Sequence, residues 1–481
     1  MQSRYNCSAS GRKNLKKAAA DKNELFANVP VGKALFTLAV PTIISQLISL
    51  VYNMVDAFYI GRTGNSFMMA ATTITLPVLL LNISFGNLFG IGGGSQVARK
   101  LGAGDPHSAR KVSSFSFYGA VATGLAYSIL VWIFLDPLLR FLGASDNTLR
   151  YAHSYGMIVV VIGTLPLLTQ MVLSHLLRNS GYSTQASMGL SIGGILNMIL
   201  DPIFMFVLLP KGMEVTGAAV ATALSNTVGC IYLLIAYRRS SREAPLSLDP
   251  AEARSIAKSD IGEVFSVGVP SAILTGLFDV ANVCANMIAA AHSDLVVAGM
   301  GIVMKIDRLP NAANIGICQG MLPIVAFNYS SGNHVRMKAA INTARKAGLI
   351  ISVVCIAAFE VFAGPLSRMF LSTTAGDAAT ALATVAYAAS FLRVRCLAAP
   401  FQFINYNSSY CMQALGDGKS TMLHAFVREL VFYIPLMFLL DKLLGEIGVA
   451  AALPAGETLG AVLALFLLHR SISRAGNKAS A

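Results

Sequence analysis

Runs of about twenty mostly apolar residues recur twelve times along the chain, and this recurrence leaves little choice of fold. Such runs suit bilayer-spanning helices, because only helices and closed barrels satisfy every backbone polar group in lipid. The strict alternation that barrel strands require is missing, so a barrel is disfavoured. Charged residues make up 12% of the 481, roughly half the share usual in a soluble domain. The expected fold is therefore an all-α polytopic membrane protein. Its first six spans are expected at 34–60, 67–95, 112–135, 152–177, 186–209 and 216–237. The other six are expected at 264–292, 295–327, 345–364, 380–412, 422–440 and 447–468.

A net charge of +13 could suggest a nucleic-acid partner, but the distribution of the charge argues for topology instead. Of 36 Lys and Arg, 25 fall on the side that carries both termini, Arg178 among them. Six lie on the opposite side (Arg62, Arg140, Arg150, Lys211, Arg368 and Lys442), and the remaining five lie within spans. This is the positive-inside asymmetry, so both termini are expected in the cytosol of a multi-pass protein of the cytoplasmic (inner) membrane. Residues 1–33, with Arg12, Lys13, Lys16 and Lys17, form a basic cytosolic lead-in without the apolar core of a secretory signal. The seven cysteines make no Cys-x-x-Cys pair and read as packing residues rather than disulfides or zinc ligands.

The chain also repeats itself. "VPTIISQLISLVYNMVDAF" starts at Val40 and "VPSAILTGLFDVANVCANM" at Val269. "LGAGDPHSARK" (101–111) parallels "YSSGNHVRMKA" (329–339), and "LLRNSGYSTQASM" (176–188) parallels "CMQALGDGKSTML" (411–423). The expected organisation is a lead-in 1–33, a six-helix bundle 34–237, a polar cytosolic linker 238–263, a second bundle 264–468 and a tail 469–481. Six spans per half make the repeat parallel, a plan on which transporters rock two bundles about a central site. Duplication without transport, as in a channel, is the plainer alternative.

Polar residues within the spans carry the functional argument, since ionisable groups in lipid are costly and mark ion or substrate paths. Gln46, Ser49, Asn53 and Asp56 fall within one arc of about 80° on helix 1. On helix 5, Asn197 and Asp201 share a face beside Pro202, and Thr222 lies inside helix 6. At 1.5 Å per residue, Asp56, Asp201 and Thr222 fall roughly 8–14 Å below one surface, with Asn197 at roughly 20 Å. Two carboxylates with amide and hydroxyl oxygens could share a proton or a sodium ion. For Asp56, a cap at the interface is the plainer alternative.

At these residues the chain resembles the multidrug and toxic compound extrusion (MATE) family, in its bacterial MepA-like branch. The pieces that carry the resemblance are "PTIISQLISLVYNMVDAFYIG", "ARKLGAGD", "LNMILDPIF", "GAAVATALS", "GICQGMLPIVAFNYSSG" and "CMQALGDGKS". The resemblance implies twelve helices in two bundles around a central cavity, and export of drug-like or toxic compounds driven by proton or sodium influx. It further implies that Asp56, Asn197, Asp201 and Thr222 form the family's cation site, with the Ala218 carbonyl as a further ligand and Tyr155 nearby. No cofactor is expected beyond the coupling ion, and the partners expected are small-molecule substrates and the bilayer. A monomer is expected.

The second half departs from the first. Ala285 stands near the position matching Asp56, while Asp279, Asn282 and Asn286 form a polar stripe. Lys305, Asp307 and Arg308 on helix 8, with Arg393 and Arg395 on helix 10, are either a structural ion-pair network or a charged cavity wall. The second arrangement would suit anionic or zwitterionic substrates and keeps a lipid-linked flippase as an alternative. "GIGGGSQVARK" (90–100) lacks both the preceding strand and the Gly-Lys-Ser/Thr of a phosphate loop. No nucleophile–base pair or metal cluster points to an enzyme.

Overall fold

The computed structural model describes residues 24–241, 245–369 and 378–480, and among these the chain is helical throughout with no strand. The basic residues Arg12, Lys13, Lys16 and Lys17 lie outside the described residues. The first six long helices are α1 (Val31–Arg62), α2 (Ser66–Gly102), α3 (Pro106–Phe141), α4 (Asp146–Ile162 and Thr164–Asn179), α5 (Ser183–Leu208) and α6 (Glu214–Ser240). A short helix Pro250–Arg254 follows in the linker. The second six are α7 (Lys258–His292), α8 (Asp294–Ser330), α9 (His334–Met369), α10 (Ala379–Cys396 and Ala399–Ala414), α11 (Gly418–Leu444) and α12 (Glu446–Ser480). Nine of the twelve are long and apolar enough to cross a membrane, and α4 and α10 do so as broken spans bent by 44° and 50°. The remaining helix, α8, is interrupted by Lys305, Asp307 and Arg308.

The internal repeat is visible in backbone detail. Both α3 and α9 lose helical geometry at a phenylalanine, Phe134 (φ −108°, ψ 16°) and Phe362 (φ −105°, ψ 16°). Each stands three residues before a proline, Pro137 or Pro365, which lacks a donor and crowds the preceding turn. The turns "GAGD" and "SSGN" also match. Gly104 (φ 73°) and Gly332 (φ 77°) take the left-handed conformation that a side chain resists. Asp105 and Asn333 then accept the backbone N–H of Ser108 (3.0 Å) and Arg336 (3.1 Å) as caps. Hydrogen bonding from the Ser108 side chain, and then from its backbone N–H, holds the Asp105 carboxyl below the usual carboxylate range.

Helix ends differ from expectation mainly on the face that carries the termini, here the terminal face. α2 runs on to Gly102 and α8 to Ser330, so Arg99 is a buried helical residue rather than a loop cation. α7 begins at Lys258, within the stretch expected as linker. Its first turns carry Asp260, paired with Lys100 (2.8 Å), and Glu263, paired with Arg99 (3.3 Å).

Packing between the halves is uneven. One contiguous buried cluster joins Leu38 and Ala39 of α1, Val97 and Ala98 of α2, Val264 and Val267 of α7, and Ile317 and Met321 of α8. Towards the opposite, far face, the clusters are separate, one around Ala285, Met300 and Val449 and others around Val131, Leu135 and Tyr155. The two bundles therefore converge at the terminal face. The convergence is very tight: a Cβ on Gly268 would lie 2.1 Å from the Leu88 carbonyl oxygen, and one on Gly92 would lie 2.3 Å from that of Val264. Gly316 and Gly320 meet the backbone of Ile43 and Ala39 in the same way. Large apolar side chains such as Trp132, Val207, Ile350 and Phe466 cover the outer surface, as a lipid-facing surface requires.

Candidate functional site

A cavity of about 940 Å³ lies between the halves, closed below by the glycine contacts. Apolar and aromatic residues such as Leu80, Met171, Phe278 and Tyr406 make up much of its wall. Polar groups from both halves interrupt that wall, as is usual for a small-molecule site.

On the first half, α5 and α6 bring Asn197, Asp201 and Thr222 together. The Asn197 amide donates to Asp201 Oδ1 at 3.0 Å and to Thr222 Oγ1 at 3.3 Å. Asn197 and Asp201 are buried, on one face four residues apart, and just beyond Pro202 the helix widens to a π-turn at Phe204–Leu208. Asp56 is close enough to interact electrostatically with Asp201, with the buried Tyr155 and with the half-buried Tyr52. Three buried oxygens here have no hydrogen-bond partner: Asp56 Oδ1, Asn197 Oδ1 and Asp201 Oδ2. Buried acceptors normally find a donor, so these oxygens suit a proton or a hard cation. Ala218, one turn before Thr222 on α6, is fully buried against Ile60 and Met205. Gln46, Ser49, Asn197 and Thr222 line the cavity.

Asn53 does not join this group. It is exposed, and its amide turns back onto the Ser49 carbonyl at 2.6 Å. The polar stripe on α1 therefore continues from Gln46 and Ser49 to Asp56 without it.

On the second half, Asn282 lines the cavity while donating to the Phe278 carbonyl at 3.0 Å. Asp279 lies on α7, but its side chain is outside the described residues. Buried Arg395 pairs with half-buried Asp307 (Nε–Oδ2 2.8 Å) on the cavity wall. Arg308 lines the cavity beside that pair and is exposed to it. Lys305 and Arg393 are exposed and off the wall, and Arg393 reaches Glu360 at 3.8 Å instead. The reason is helical: each is two residues, about 200°, from the Asp307 or Arg395 that faces inward.

Two further charged sites lie beyond the residues singled out from sequence. Arg428 holds Glu457 through two donors on one guanidinium edge, Nη2 to Oε1 (2.6 Å) and Nε to Oε2 (3.1 Å), and approaches Glu429 at 3.6 Å, all three being buried. Asn405 and His424 extend this network, and Tyr406 stacks on the guanidinium at 5.4 Å. An adjacent Arg-Glu pair in one span with a Glu in the next was the sequence signal for it. Arg178, expected in a loop, instead lies 2% exposed at the end of α4 and lines the cavity floor with His175. Its position was hidden because α4 bends and carries its end inward.

The comparisons agree with this architecture. The chain is 29% identical over 444 residues to the "Multidrug export protein MepA" of Staphylococcus haemolyticus strain JCSC1435, covering 92% of this chain and 94% of that protein. It is likewise 29% identical to the protein of the same name from Staphylococcus aureus strain MRSA252, covering 92% and 95%. Among solved structures, a MATE in complex with MaL6 superposes with a TM-score of 0.88 at 22% identity, covering 95% and 99% of the two chains. A transporter of the MOP superfamily from Pyrococcus furiosus superposes with a TM-score of 0.87 at 22% identity, covering 94% and 98%. The MatE family profile matches residues 41–203 and 270–439, one stretch in each half, and the chain therefore belongs to the MatE family of multi-pass membrane transporters.

Proposed function

We propose that the protein exports drug-like or toxic small organic compounds by alternating access, in exchange for protons or sodium ions entering the cell. The observation that carries this reading is the triad Asn197–Asp201–Thr222 with the unpartnered oxygens of Asp56, Asn197 and Asp201, set beside a cavity shared by both halves. A cation or proton arriving there supplies what those oxygens lack. The Ala218 carbonyl is the remaining ligand candidate, and Tyr155 closes the pocket from α4. Binding would bias α1, which carries Asp56, and so alter the cavity wall at Gln46 and Ser49. The positive-inside asymmetry orients the terminal face and both termini to the cytosol. On that orientation the glycine contacts seal the cytosolic side, and the structure is the outward-facing state. The protein acts as a monomer in the cytoplasmic (inner) membrane.

The test is efflux in proteoliposomes under an imposed proton or sodium gradient. Wild type should concentrate substrate against its gradient, whereas a gated channel would only equilibrate it. Asp56→Asn and Asp201→Asn should bind substrate yet lose gradient-driven accumulation. Wild-type accumulation by both variants under every gradient would remove the coupling role.

A further inference from the structure

We propose that the floor of the cavity is an anion subsite built on Arg178, and that it selects substrates carrying a carboxylate on an apolar body. The inference rests on reading the cavity as the substrate path. Arg178 is 2% exposed and lines the cavity, and its buried Nε has no hydrogen-bond partner. None of the ion pairs among the described residues involves it, whereas the other buried arginines on the wall are neutralised, Arg395 by Asp307 and Arg428 by Glu457. A buried guanidinium without a counter-charge is expensive, so an acceptor reaching it from the cavity is favoured. Its neighbours fit an anion. The Tyr410 hydroxyl lies within electrostatic range and pairs with the Gln319 side chain, and both line the same floor. A guanidinium can grip a carboxylate through two parallel N–H donors.

The internal repeat argues against a purely structural role. Arg178 and Gln413 occupy equivalent places, each three residues before a glycine at positive φ, Gly181 (87°) and Gly416 (77°). Each offers its carbonyl to that glycine's N–H at 3.1 Å, and each lines the cavity floor. The turn forms on an uncharged glutamine in one half, so the turn does not require the charge found in the other. Nor does Arg178 latch the halves together. On the terminal face that role falls to Arg99, which reaches Glu263 and the Gln413 carbonyl at 3.3 Å each.

The experiment uses the full-length protein in nanodiscs and two dyes with the same xanthene body, rhodamine 110, a free carboxylic acid, and rhodamine 123, its methyl ester. Equilibrium binding is read by fluorescence anisotropy at constant salt. Wild type should bind the acid more tightly than the ester. Arg178→Met should weaken the acid about tenfold or more, as expected for lost charge-assisted bonds, and leave the ester within about threefold. Arg178→Lys should restore part of the acid's affinity, and a matched melting temperature will show that the variants fold. Equal losses for both dyes in a folded variant, a wild type that prefers the ester, or one that binds neither dye would overturn the proposal. Binding needs no gradient, so the carboxylate preference of the wild type and its loss in Arg178→Met are read whether or not gradient-driven efflux is observed, which separates this inference from the transport reading.

Discussion

The seal between the halves makes the sharpest quantitative demand on this structure. Gly268 on α7 faces Leu88 on α2, and an alanine Cβ there would stand 2.1 Å from the carbonyl oxygen and 2.9 Å from the carbonyl carbon. Ordinary contact begins near 3.4 Å, so α7 would have to retreat by more than 1 Å from a backbone that cannot rotate away. Overpacking of this kind typically costs about 1–3 kcal/mol. The cost falls only on the state in which the halves touch, so Gly268→Ala should shift the population towards terminal-face opening by about 5–150-fold. Gly276, just over two turns further along the same helix, has open space at its Cβ position, which makes Gly276→Ala the matched control. Spin labels at His107→Cys and Val335→Cys, on the exposed starts of α3 and α9, report the separation of the bundles on this face. Pulsed dipolar spectroscopy should show a longer-distance component in Gly268→Ala and none in the control. A folded Gly268→Ala protein with the wild-type distance distribution would refute the claim that backbone contact holds this face shut.

The remaining predictions concern stability. Arg428→Leu strands Glu429 and Glu457 together in a buried site and should cost about 3–5 kcal/mol, seen as a lowered melting temperature. Arg428→Leu combined with Glu457→Leu should recover part of that loss, and no recovery would show that the pair is not the cause. Asp417 caps α11 through the Ser420 N–H (3.1 Å) and ties to α12 through Ser471 (2.6 Å), so Asp417→Ala should cost about 1 kcal/mol in the same assay. Burial pushes the Asp417 carboxyl up, but the bonds from Ser471 and Ser420 outweigh it and hold the group below the usual range. Its contribution should therefore be fully present above the unfolded carboxylate value of about 4 and fade only below it, so the wild-type advantage over Asp417→Ala should persist at pH 6 and shrink in stronger acid. Asn197→Ala leaves Asp201 Oδ1 and Thr222 without their shared donor and should cost about 1–3 kcal/mol, read by thermal unfolding in detergent.

Span count, helix type and the duplicated plan follow from one-dimensional information. Apolar length dictates a spanning helix because the bilayer offers the backbone no partners, and the motif pairs 101–111 with 329–339 and 176–188 with 411–423 expose the repeat. The Asn197–Asp201 contact was equally legible, since a spacing of four puts two side chains on one helical face. Other features needed the third dimension. The glycine run at 90–94 could be refused as a phosphate loop from sequence, but its purpose is tight packing against α3, α4 and α7, which belong to other parts of the chain. Asn53 lies on the same arc as Gln46, yet its amide is claimed by its own helix. Lys305, Arg393 and Arg395 look alike as intramembrane cations, and only the packing of α8 against α10 decides that Arg395 meets Asp307 while the other two turn away. Arg178 is the clearest case. Sequence counts it as one more loop cation on the basic face, because hydropathy measures length and composition and cannot register the 44° bend in α4 that carries it to the cavity floor.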